Sequence, residues 1–418
     1  MSLAVQDARL DGVRVGLRVD GDQIAAVGPE VAPEPGDAVL DGAGMALLPG
    51  LVNGHTHAAM TLMRGYGDDL PLMKWLQDRI WPTEAKLTAD DVYWGTRLAC
   101  VEMVRTGAVR FWDMYWQPEA IARAVQESGV RAAVALPLVD GLDPDKSDAL
   151  RADAERSLDT LAGAGARVTP TLGPHAIYTV SEKSLHWIAE LSAERGVPVH
   201  IHLSETEGEV HDCVAAHGVR PAQYLDRVGL LTPQTLLAHG VWLDDDELAL
   251  VGERGASVVT NPVSNLKLAV GEVFPYAKAR DHGIPVGLGT DGAASNNALD
   301  LFQDVKHLAL IQKHATRDPA AMPATEAWAV ATGQRAPLLG QSGRVAAGEP
   351  ADFLLARLDV PELTPGDLTA NLVYAASGAV VDTTVVAGRV LMRGGEIPNE
   401  VEAREGAVAS ARRLGVIA

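Results

Sequence analysis

Cysteine is scarce in this sequence of 418 residues, with Cys100 and Cys213 as its two thiols. They form no Cys-x-x-Cys pair, which excludes a small disulfide-linked secreted fold and agrees with a reducing cytosol. The sequence contains no signal-peptide core, and it has no run of about 18 apolar residues that could span a bilayer. We therefore expect a cytoplasmic protein that does not enter a membrane.

Positive charge is also in short supply. The chain has 35 lysine and arginine residues against 55 aspartate and glutamate residues, a formal net charge of −20, and it has no basic block. A surface of this sign repels phosphate groups, which argues against nucleic acid and anionic membranes as partners. Hydrophobic residues make up 47% of the sequence, and the length suits one large domain with a smaller module.

A unit of a short β-branched strand and an amphipathic helix recurs along most of the chain. Parallel strands need crossover helices, so eight such units predict an α/β fold of the (β/α)₈ TIM-barrel type. The predicted strands are Leu48–Val52, Val109–Asp113, Arg131–Pro137, Arg167–Leu172, Val197–Leu203, Thr235–Ala238, Ser257–Thr260 and Val286–Gly289. The clearest predicted helices are Asp90–Arg105, Pro118–Ser128, Ala152–Ala162 and Ser181–Arg195, the last with Ser181 as its N-cap residue.

The two ends of the chain show a different pattern of short strands and tight turns. Asp-Gly pairs at 11–12, 20–21 and 41–42 predict turns near the N-terminus, and residues from about Gly343 to Gly395 also favour strands. We predict that residues 1–46 and 343–418 pair into one small β-sandwich domain, which includes a C-terminal helix at Glu400–Leu414. The barrel then comprises residues 47–342.

Residues that bind metals stand at the ends of four predicted barrel strands. His55 and His57 follow the first strand, His202 lies at the end of the fifth, His239 follows the sixth and Asp291 follows the eighth. Side chains alternate along a strand, so both histidines of a His-x-His pair face the same way. Barrel sites form at the carboxyl ends of the strands. Imidazole and carboxylate ligands together predict one divalent metal, with zinc as the first choice and Fe²⁺ as the second.

Four further observations refine this site. His200 shares its face of the strand with His202 but lies one layer deeper, so we interpret it as a core histidine and not a ligand. His175 follows the fourth strand and is expected to touch the substrate. Glu205, three residues after a predicted ligand, is placed to move protons. The fourth strand contains no lysine that could bridge two metals, so we expect one metal per chain.

Several longer motifs occur in a fixed order along the chain. They are Pro49–Asn53 leading into His55-Thr56-His57, Arg64-Gly65-Tyr66, Asp68–Leu72, Trp81-Pro82 with Glu84, His200–Thr206, Asn261–Lys267, and Gly289–Gly292 with Ser295-Asn296-Asn297. This ordered set resembles the amidohydrolase superfamily, and most closely its 5-methylthioadenosine/S-adenosylhomocysteine deaminases. The similarity covers essentially the whole chain.

The resemblance implies roles for individual residues. The implied metal ligands are His55, His57, His202 and Asp291. Glu205, His239 and Asp291 would serve the chemistry, Glu84 would bind the ribose hydroxyls, and His175 would contact the substrate. The segment after the third strand shows no clear pair of arginines for a homocysteine carboxylate, and Arg151 is the candidate there.

The expected reaction is hydrolytic deamination of an adenine nucleoside (5-methylthioadenosine, S-adenosylhomocysteine or adenosine) to the inosine analogue and ammonia. A bound divalent metal makes water reactive at neutral pH. Asp291 can accept a proton from that water, His239 can orient it, and Glu205 can carry a proton to N1 of the adenine and then to the ammonia.

Three alternatives stay open at this point. The first is a deaminase of another aminated heterocycle, such as guanine or a triazine, and the second is a cyclic amidohydrolase that releases no ammonia. The third is a scaffold that has kept the barrel without activity, although such a scaffold has no need of the predicted ligands and Glu205 together. A homo-oligomer is expected in each case.

Overall fold

The computed structural model describes residues 2–417, which form two sheets with helices packed around them. The strands are β1 (Leu3–Leu10), β2 (Val13–Asp20), β3 (Gln23–Gly28), β4 (Ala38–Asp41), β5 (Met45–Pro49), β6 (Leu51–Thr56), β7 (Ala108–Met114), β8 (Arg131–Leu138), β9 (Val168–Pro174), β10 (Val199–Leu203), β11 (Thr235–His239), β12 (Ser257–Thr260), β13 (Val286–Leu288), β14 (Phe353–Arg357), β15 (Val381–Val386) and β16 (Arg389–Met392). The α-helices are α1 (Leu72–Trp75), α2 (Trp81–Glu84), α3 (Ala89–Arg105), α4 (Pro118–Ser128), α5 (Ser147–Ala162), α6 (Glu182–Arg195), α7 (Glu207–His217), α8 (Pro221–Arg227), α9 (Asp245–Arg254), α10 (Pro262–Lys267), α11 (Tyr276–Asp281), α12 (Leu301–Thr316), α13 (Ala324–Ala331), α14 (Leu368–Tyr374) and α15 (Glu400–Leu414).

The strands β6 to β13 form the barrel, each paired in parallel with the next along the chain. Asn53 of β6 links the two ends of this sheet. Its side chain accepts from the backbone N–H of Thr290 at 3.0 Å and donates to the Thr290 hydroxyl at 2.7 Å. The backbone N–H of Asp291 donates to the carbonyl of His55 at 2.9 Å. These bonds bring the first and last strands together, and the predicted TIM-type barrel is confirmed.

A layer of apolar side chains fills the barrel interior. It consists of Val52, Trp112, Ala133, Leu236, Val259, Ala336 and Leu339. The Trp112 ring in turn lies 5.9 Å from the ring of His200, centroid to centroid. The barrel is therefore a packed core in this layer, as expected for the fold, and His200 lies next to it.

The two ends of the chain pair in one mixed sheet, as the turn pattern predicted. Its strand order is β16-β15-β14-β5-β1-β2-β3, with β4 also paired to β1. The antiparallel pairing of β14 with β5, in which Phe353 lies opposite Pro49, joins the C-terminal segment to the N-terminal one. This sheet has a hydrophobic core of its own, with Leu17, Ile24 and Phe353 among its largest buried side chains.

The predicted bounds of the first barrel strand, Leu48–Val52, are wrong. The apolar run contains the end of β5 in the terminal sheet and the start of β6 in the barrel, with Gly50 between them. A Cβ at Gly50 would lie 2.4 Å from the side chain of Val109, so the chain passes very close to the barrel there. Hydrophobicity alone gives no sign of a change of sheet when both strands are buried.

The helix predictions are largely confirmed. Helices α4 and α15 have the predicted bounds. Ser181 is the N-cap of α6, and its side chain accepts from the backbone N–H of Ser184. Thr88 and Asp91 form a capping box that starts α3. Between residues 2 and 417, no helix is both long and apolar enough to cross a lipid bilayer.

Candidate active site

Two of the predicted ligand histidines are oriented by backbone carbonyl groups. Nδ1 of His57 lies 2.8 Å from the carbonyl oxygen of Met114, and Nδ1 of His202 lies 2.7 Å from that of His175. A carbonyl oxygen can only accept, so each Nδ1 carries the proton. Each Nε2 is then left with its lone pair, which is the form that binds a metal.

The free nitrogens and one carboxylate oxygen converge on a single point. Nε2 of His57 lies 3.3 Å from Nε2 of His202 and 3.3 Å from Oδ1 of Asp291, and Nε2 of His55 lies 3.4 Å from the same oxygen. Ligands at about 2.0–2.1 Å from a tetrahedral zinc are themselves about 3.3–3.4 Å apart. Nε2 of His55 is also buried without a hydrogen-bond partner. These four residues therefore fit a divalent cation.

Asp291 is held firmly in place at the end of β13. Its Oδ2 accepts from the hydroxyls of Ser264 at 2.7 Å and Ser295 at 2.9 Å, and its Oδ1 accepts from the backbone N–H of Gly292 at 2.8 Å. The residue has a φ of 61°, in the left-handed region that costs a non-glycine residue free energy. Such strain is common at functional sites.

The protonation states of these residues suit a cation. Burial lowers the pKa of His55 to about 3 and that of His202 well below its usual value, so both imidazoles are neutral. Burial opposes ionisation of Asp291, but the neighbouring His55 and His57 outweigh it and hold the pKa of this carboxyl well below its usual range. Neutral nitrogens and an ionised carboxylate are the ligand forms that zinc requires.

His239 is close enough to belong to the same centre. One ring nitrogen from each of His239, His55 and His202 lies within 4.8 Å of the other two. Nδ1 of His239 lies 2.9 Å from Oδ1 of Asn265 and 4.0 Å from a carboxylate oxygen of Glu205. Burial would lower the pKa of His239, but the nearby carboxylates, Glu205 first, raise it. This histidine can therefore carry a proton.

Glu205 lies beside this centre and is almost completely buried. Burial raises the pKa of its carboxyl, while the neighbouring His239 acts in the opposite direction. A carboxyl group with a raised pKa holds its proton more readily than an ordinary glutamate, which suits a general acid–base residue.

The site opens into a cavity of about 630 Å³. Seven of the predicted site residues line it: His57, Glu84, His175, His202, Glu205, His239 and Asp291. His55 is fully buried and not part of its lining. Arg151 does not line the cavity either. It lies on α5, where its guanidinium pairs with Glu155 at 2.9 Å, so the structure does not bring this predicted substrate contact to the site.

Glu84 enters the cavity from the segment that precedes α3. Burial raises the pKa of its carboxyl, and the side chains of Tyr115 and Trp116 counter this effect. Both aromatic residues also line the cavity. Neither residue was predicted as part of the site, because they follow β7 in a stretch without a polar motif.

The supporting residues of the centre were not assigned roles from the sequence. They are Met114 behind His57, Asn265 behind His239, and Ser264 and Ser295 behind Asp291. Three of these residues lie in the motifs Asn261–Lys267 and Ser295-Asn296-Asn297. The sequence therefore marked these segments, but it did not show which side chains they support. Met114 acts through its backbone, which no side-chain pattern reveals.

Comparison with known proteins agrees with this geometry. A model of the Amidohydrolase family matches residues 46–391. The chain is 49% identical to a 5'-deoxyadenosine deaminase of Methanoregula boonei over 96% of this chain and 92% of that protein. It is 43% identical to 5-methylthioadenosine/S-adenosylhomocysteine deaminase 1 of Archaeoglobus fulgidus over 93% and 92% of the two chains. A solved adenosine deaminase from Xanthomonas campestris, with bound zinc, superimposes with a TM-score of 0.92 and 32% identity over 99% of both chains.

Proposed function

The chain belongs to the amidohydrolase family, and we propose that it hydrolyses the 6-amino group of an adenine nucleoside and releases ammonia. One observation carries this proposal: Glu205, three of the four metal-ligand residues (His57, His202 and Asp291) and Glu84 all line one cavity of about 630 Å³. Glu205 and the metal ligands supply the chemistry of deamination, and the carboxylate of Glu84 suits the hydroxyl groups of a sugar. The names of the relatives at 49% and 43% identity describe the same class of substrate.

Water is the nucleophile in this reaction. A divalent metal, which we propose to be zinc and for which Fe²⁺ is the alternative, would be held by His55, His57, His202 and Asp291 and would supply Lewis-acid activation of that water. The zinc bound in the related adenosine deaminase supports this choice of metal. Elemental analysis of the purified protein, with one metal per chain expected, tests it.

The chain's own residues move the protons. The water oxygen adds to C6 as one water proton is taken up by Asp291, while His239 holds the oxygen in place. Glu205, whose pKa burial raises, delivers a proton to N1. The C6–N bond then breaks as the second water proton, carried by Glu205, leaves on ammonia, so the product has a carbonyl at C6 and a hydrogen at N1. The proton held by Asp291 then returns to Glu205, and both carboxyl groups regain their starting states.

The cavity wall also limits the 5' group of the nucleoside. Segment 72–87 contributes an apolar wall that includes Trp75, Leu76 and Ile80. Among residues 2–417, no lysine or arginine lines the cavity, and its carboxylates are those of Glu84, Glu205 and Asp291. A homocysteine carboxylate would lose its hydration there without gaining a cation. We therefore favour substrates with an uncharged 5' group, such as 5'-deoxyadenosine or 5-methylthioadenosine.

A panel assay tests the proposal directly. Ammonia release is measured with 5'-deoxyadenosine, 5-methylthioadenosine, adenosine, S-adenosylhomocysteine, adenine and guanine. We expect kcat/KM to be highest for the first two nucleosides and lowest for the free bases. Faster turnover of guanine or of another free heterocycle would move the enzyme to the alternative class of heterocycle deaminases. Hydrolysis of a cyclic amide without ammonia would place it among the cyclic amidohydrolases.

The proposal also covers the location of the protein in the cell and its oligomeric state. Both cysteines are buried and free, which fits the reducing cytoplasm. Val401 and Val408 are exposed and lie seven residues apart on α15, so they share one face of the helix. We propose that these exposed valines contact a second copy in a homo-oligomer. Sedimentation analysis of the purified protein measures its mass and tests this.

A further inference from the structure

The third ligand histidine, His55, is oriented differently from the other two. Its Nδ1 lies 2.8 Å from Nε2 of His200, a histidine of β10 that lies two residues before His202. His57 and His202 are instead oriented by backbone carbonyls, which can only accept a hydrogen bond. The orientation of His55 therefore depends on a side chain that is itself able to donate or accept.

The buried His55–His200 pair holds one proton between the two rings. Both side chains are fully buried, and burial favours the neutral form of an imidazole. A neutral imidazole has one N–H and one lone pair. If His55 donates, its Nε2 keeps a lone pair that faces Asp291. If His200 donates, Nε2 of His55 is protonated and cannot bind a metal.

The surroundings of His200 show no other use for it. It is not among the cavity-lining residues, and its Nδ1 has no hydrogen-bond partner among residues 2–417. Its ring packs against that of Trp112 at an angle of 83°. An apolar side chain would fill such a place without an unpaired buried nitrogen, which carries a desolvation cost. The hydrogen bond to His55 is the contact that an apolar residue could not make.

We propose that His200 is a positioning residue that accepts the Nδ1–H of His55 and so keeps Nε2 of His55 available to the metal. The inference rests on the proposed metal-dependent function but not on the identity of the substrate. Hydrogen bonds of this kind to ligand histidines change metal affinity by about 10–100-fold. His200 was predicted to be a core histidine, and the structure adds a hydrogen-bonding role.

Two substitutions separate a hydrogen-bonding role from a space-filling one. In His200→Gln, the side-chain oxygen can still accept from His55, whereas His200→Leu is similar in size and cannot. The zinc dissociation constant of each protein is measured by chelator competition in the absence of substrate. We expect His200→Leu to bind zinc about 10–100-fold more weakly and His200→Gln to stay close to wild type. His186→Leu, on the surface of α6, serves as the matched control.

Each outcome decides the matter. Equal zinc affinity in all variants, or equal loss in both His200 variants, would overturn the positioning role. A wild-type protein that binds no zinc or iron would contradict the proposed function as well, whereas an unexpected substrate would leave this inference intact. If His200→Leu does not fold, NMR of ¹⁵N-histidine-labelled wild-type protein identifies the tautomers. A proton on Nδ1 of both His55 and His200 is expected, and a proton on Nε2 of His200 would refute the proposal.

Discussion

The carboxylate of Glu209 supports the backbone at Glu205. It accepts hydrogen bonds from the N–H of Ser204 at 2.8 Å and from the N–H of Glu205 at 2.9 Å. Ser204 has a φ of 50°, so the turn from β10 to α7 lies in the left-handed region at a cost of about 1 kcal/mol. Glu209 is buried on the first turn of α7. It therefore holds the strained turn that aims the side chain of Glu205 into the cavity.

The first prediction concerns Glu209→Gln. Burial raises the pKa of Glu209 to about 7, but the two bonds from backbone donors require two acceptor oxygens. An amide offers one oxygen and turns its NH₂ group toward a backbone N–H, which costs about 1–3 kcal/mol. We expect kcat to fall about tenfold and the melting temperature to drop, with unchanged metal content. Glu207→Gln, an exposed change on the same helix, is the control. Unchanged kcat in Glu209→Gln would refute the role.

The second prediction separates proton transfer from metal binding at Glu205. Glutamine in its place keeps the shape of the side chain and removes the acid–base group. Turnover should fall by roughly 10²–10⁴-fold, which is the usual contribution of such a group. Metal content, measured by elemental analysis, should stay near wild type because the ligands are His55, His57, His202 and Asp291. A variant with normal turnover would show that another residue moves the proton.

Much of this architecture could be predicted because its signals are local. Short β-branched strands alternate with helices, and the fold requires the residues that end parallel strands to meet. His55, His57, His202 and Asp291 were therefore predictable as a group before any distance was known. The tight Asp-Gly turns likewise marked the terminal sheet, and the N-cap Ser181 marked α6.

The remainder depends on contacts between distant parts of the chain. His200 and His55 are 145 residues apart in sequence, and no periodicity reveals their 2.8 Å contact. The left-handed φ of 74° at His239 also has no signal in a non-glycine residue. Arg151 illustrates the opposite error. Its position after the third strand suggested the site, but its side chain is satisfied by Glu155 one turn further along the same helix.

The third prediction is a pH dependence of stability that arises from Asp113. This carboxyl accepts the backbone N–H of Ala58 at 2.9 Å with Oδ1, while Oδ2 is buried without a partner. Burial raises the pKa of Asp113 to about 7, well above its value of about 3.9 in an unfolded chain. The folded state therefore binds more protons between these values, so the contribution of Asp113 to stability is lost as the pH rises toward and through 7.

Asp113→Asn removes this titration and keeps the acceptor for Ala58. Urea unfolding of the metal-free proteins at pH 5 and pH 8 measures the effect without the release of metal. From pH 5 to pH 8, wild type should lose about 2–3 kcal/mol of unfolding free energy relative to the variant. Asp212→Asn, an exposed change on α7, should show no such difference. Parallel pH profiles of Asp113→Asn and wild type would mean that Asp113 is ionised throughout this range.

The last prediction tests the contact between Glu84 and the sugar. Glu84 lines the cavity, and burial raises the pKa of its carboxyl. A carboxylate that faces two vicinal hydroxyls can accept a hydrogen bond from each. Removal of the carboxylate or of the hydroxyls leaves the remaining group without a partner in a cavity that excludes water. Glu84→Ala should therefore weaken catalysis on 5'-deoxyadenosine, and it should matter much less for an analogue that lacks the 2' and 3' hydroxyls.

The loss in kcat/KM from Glu84→Ala and the loss from removal of the 2' and 3' hydroxyls should therefore be non-additive. Partners in contact behave in this way in a double-mutant cycle. A hydrogen bond to a charged group contributes about 1.5–3 kcal/mol, so the coupling should be roughly tenfold to a hundredfold in kcat/KM. Strictly additive losses would show that Glu84 does not touch the sugar. The exposed neighbour Lys86, changed to alanine, controls for disturbance of this segment. Coupling in Glu84→Ala but not in Lys86→Ala would place the ribose against Glu84, opposite an adenine whose C6 faces Glu205 and the metal ligands.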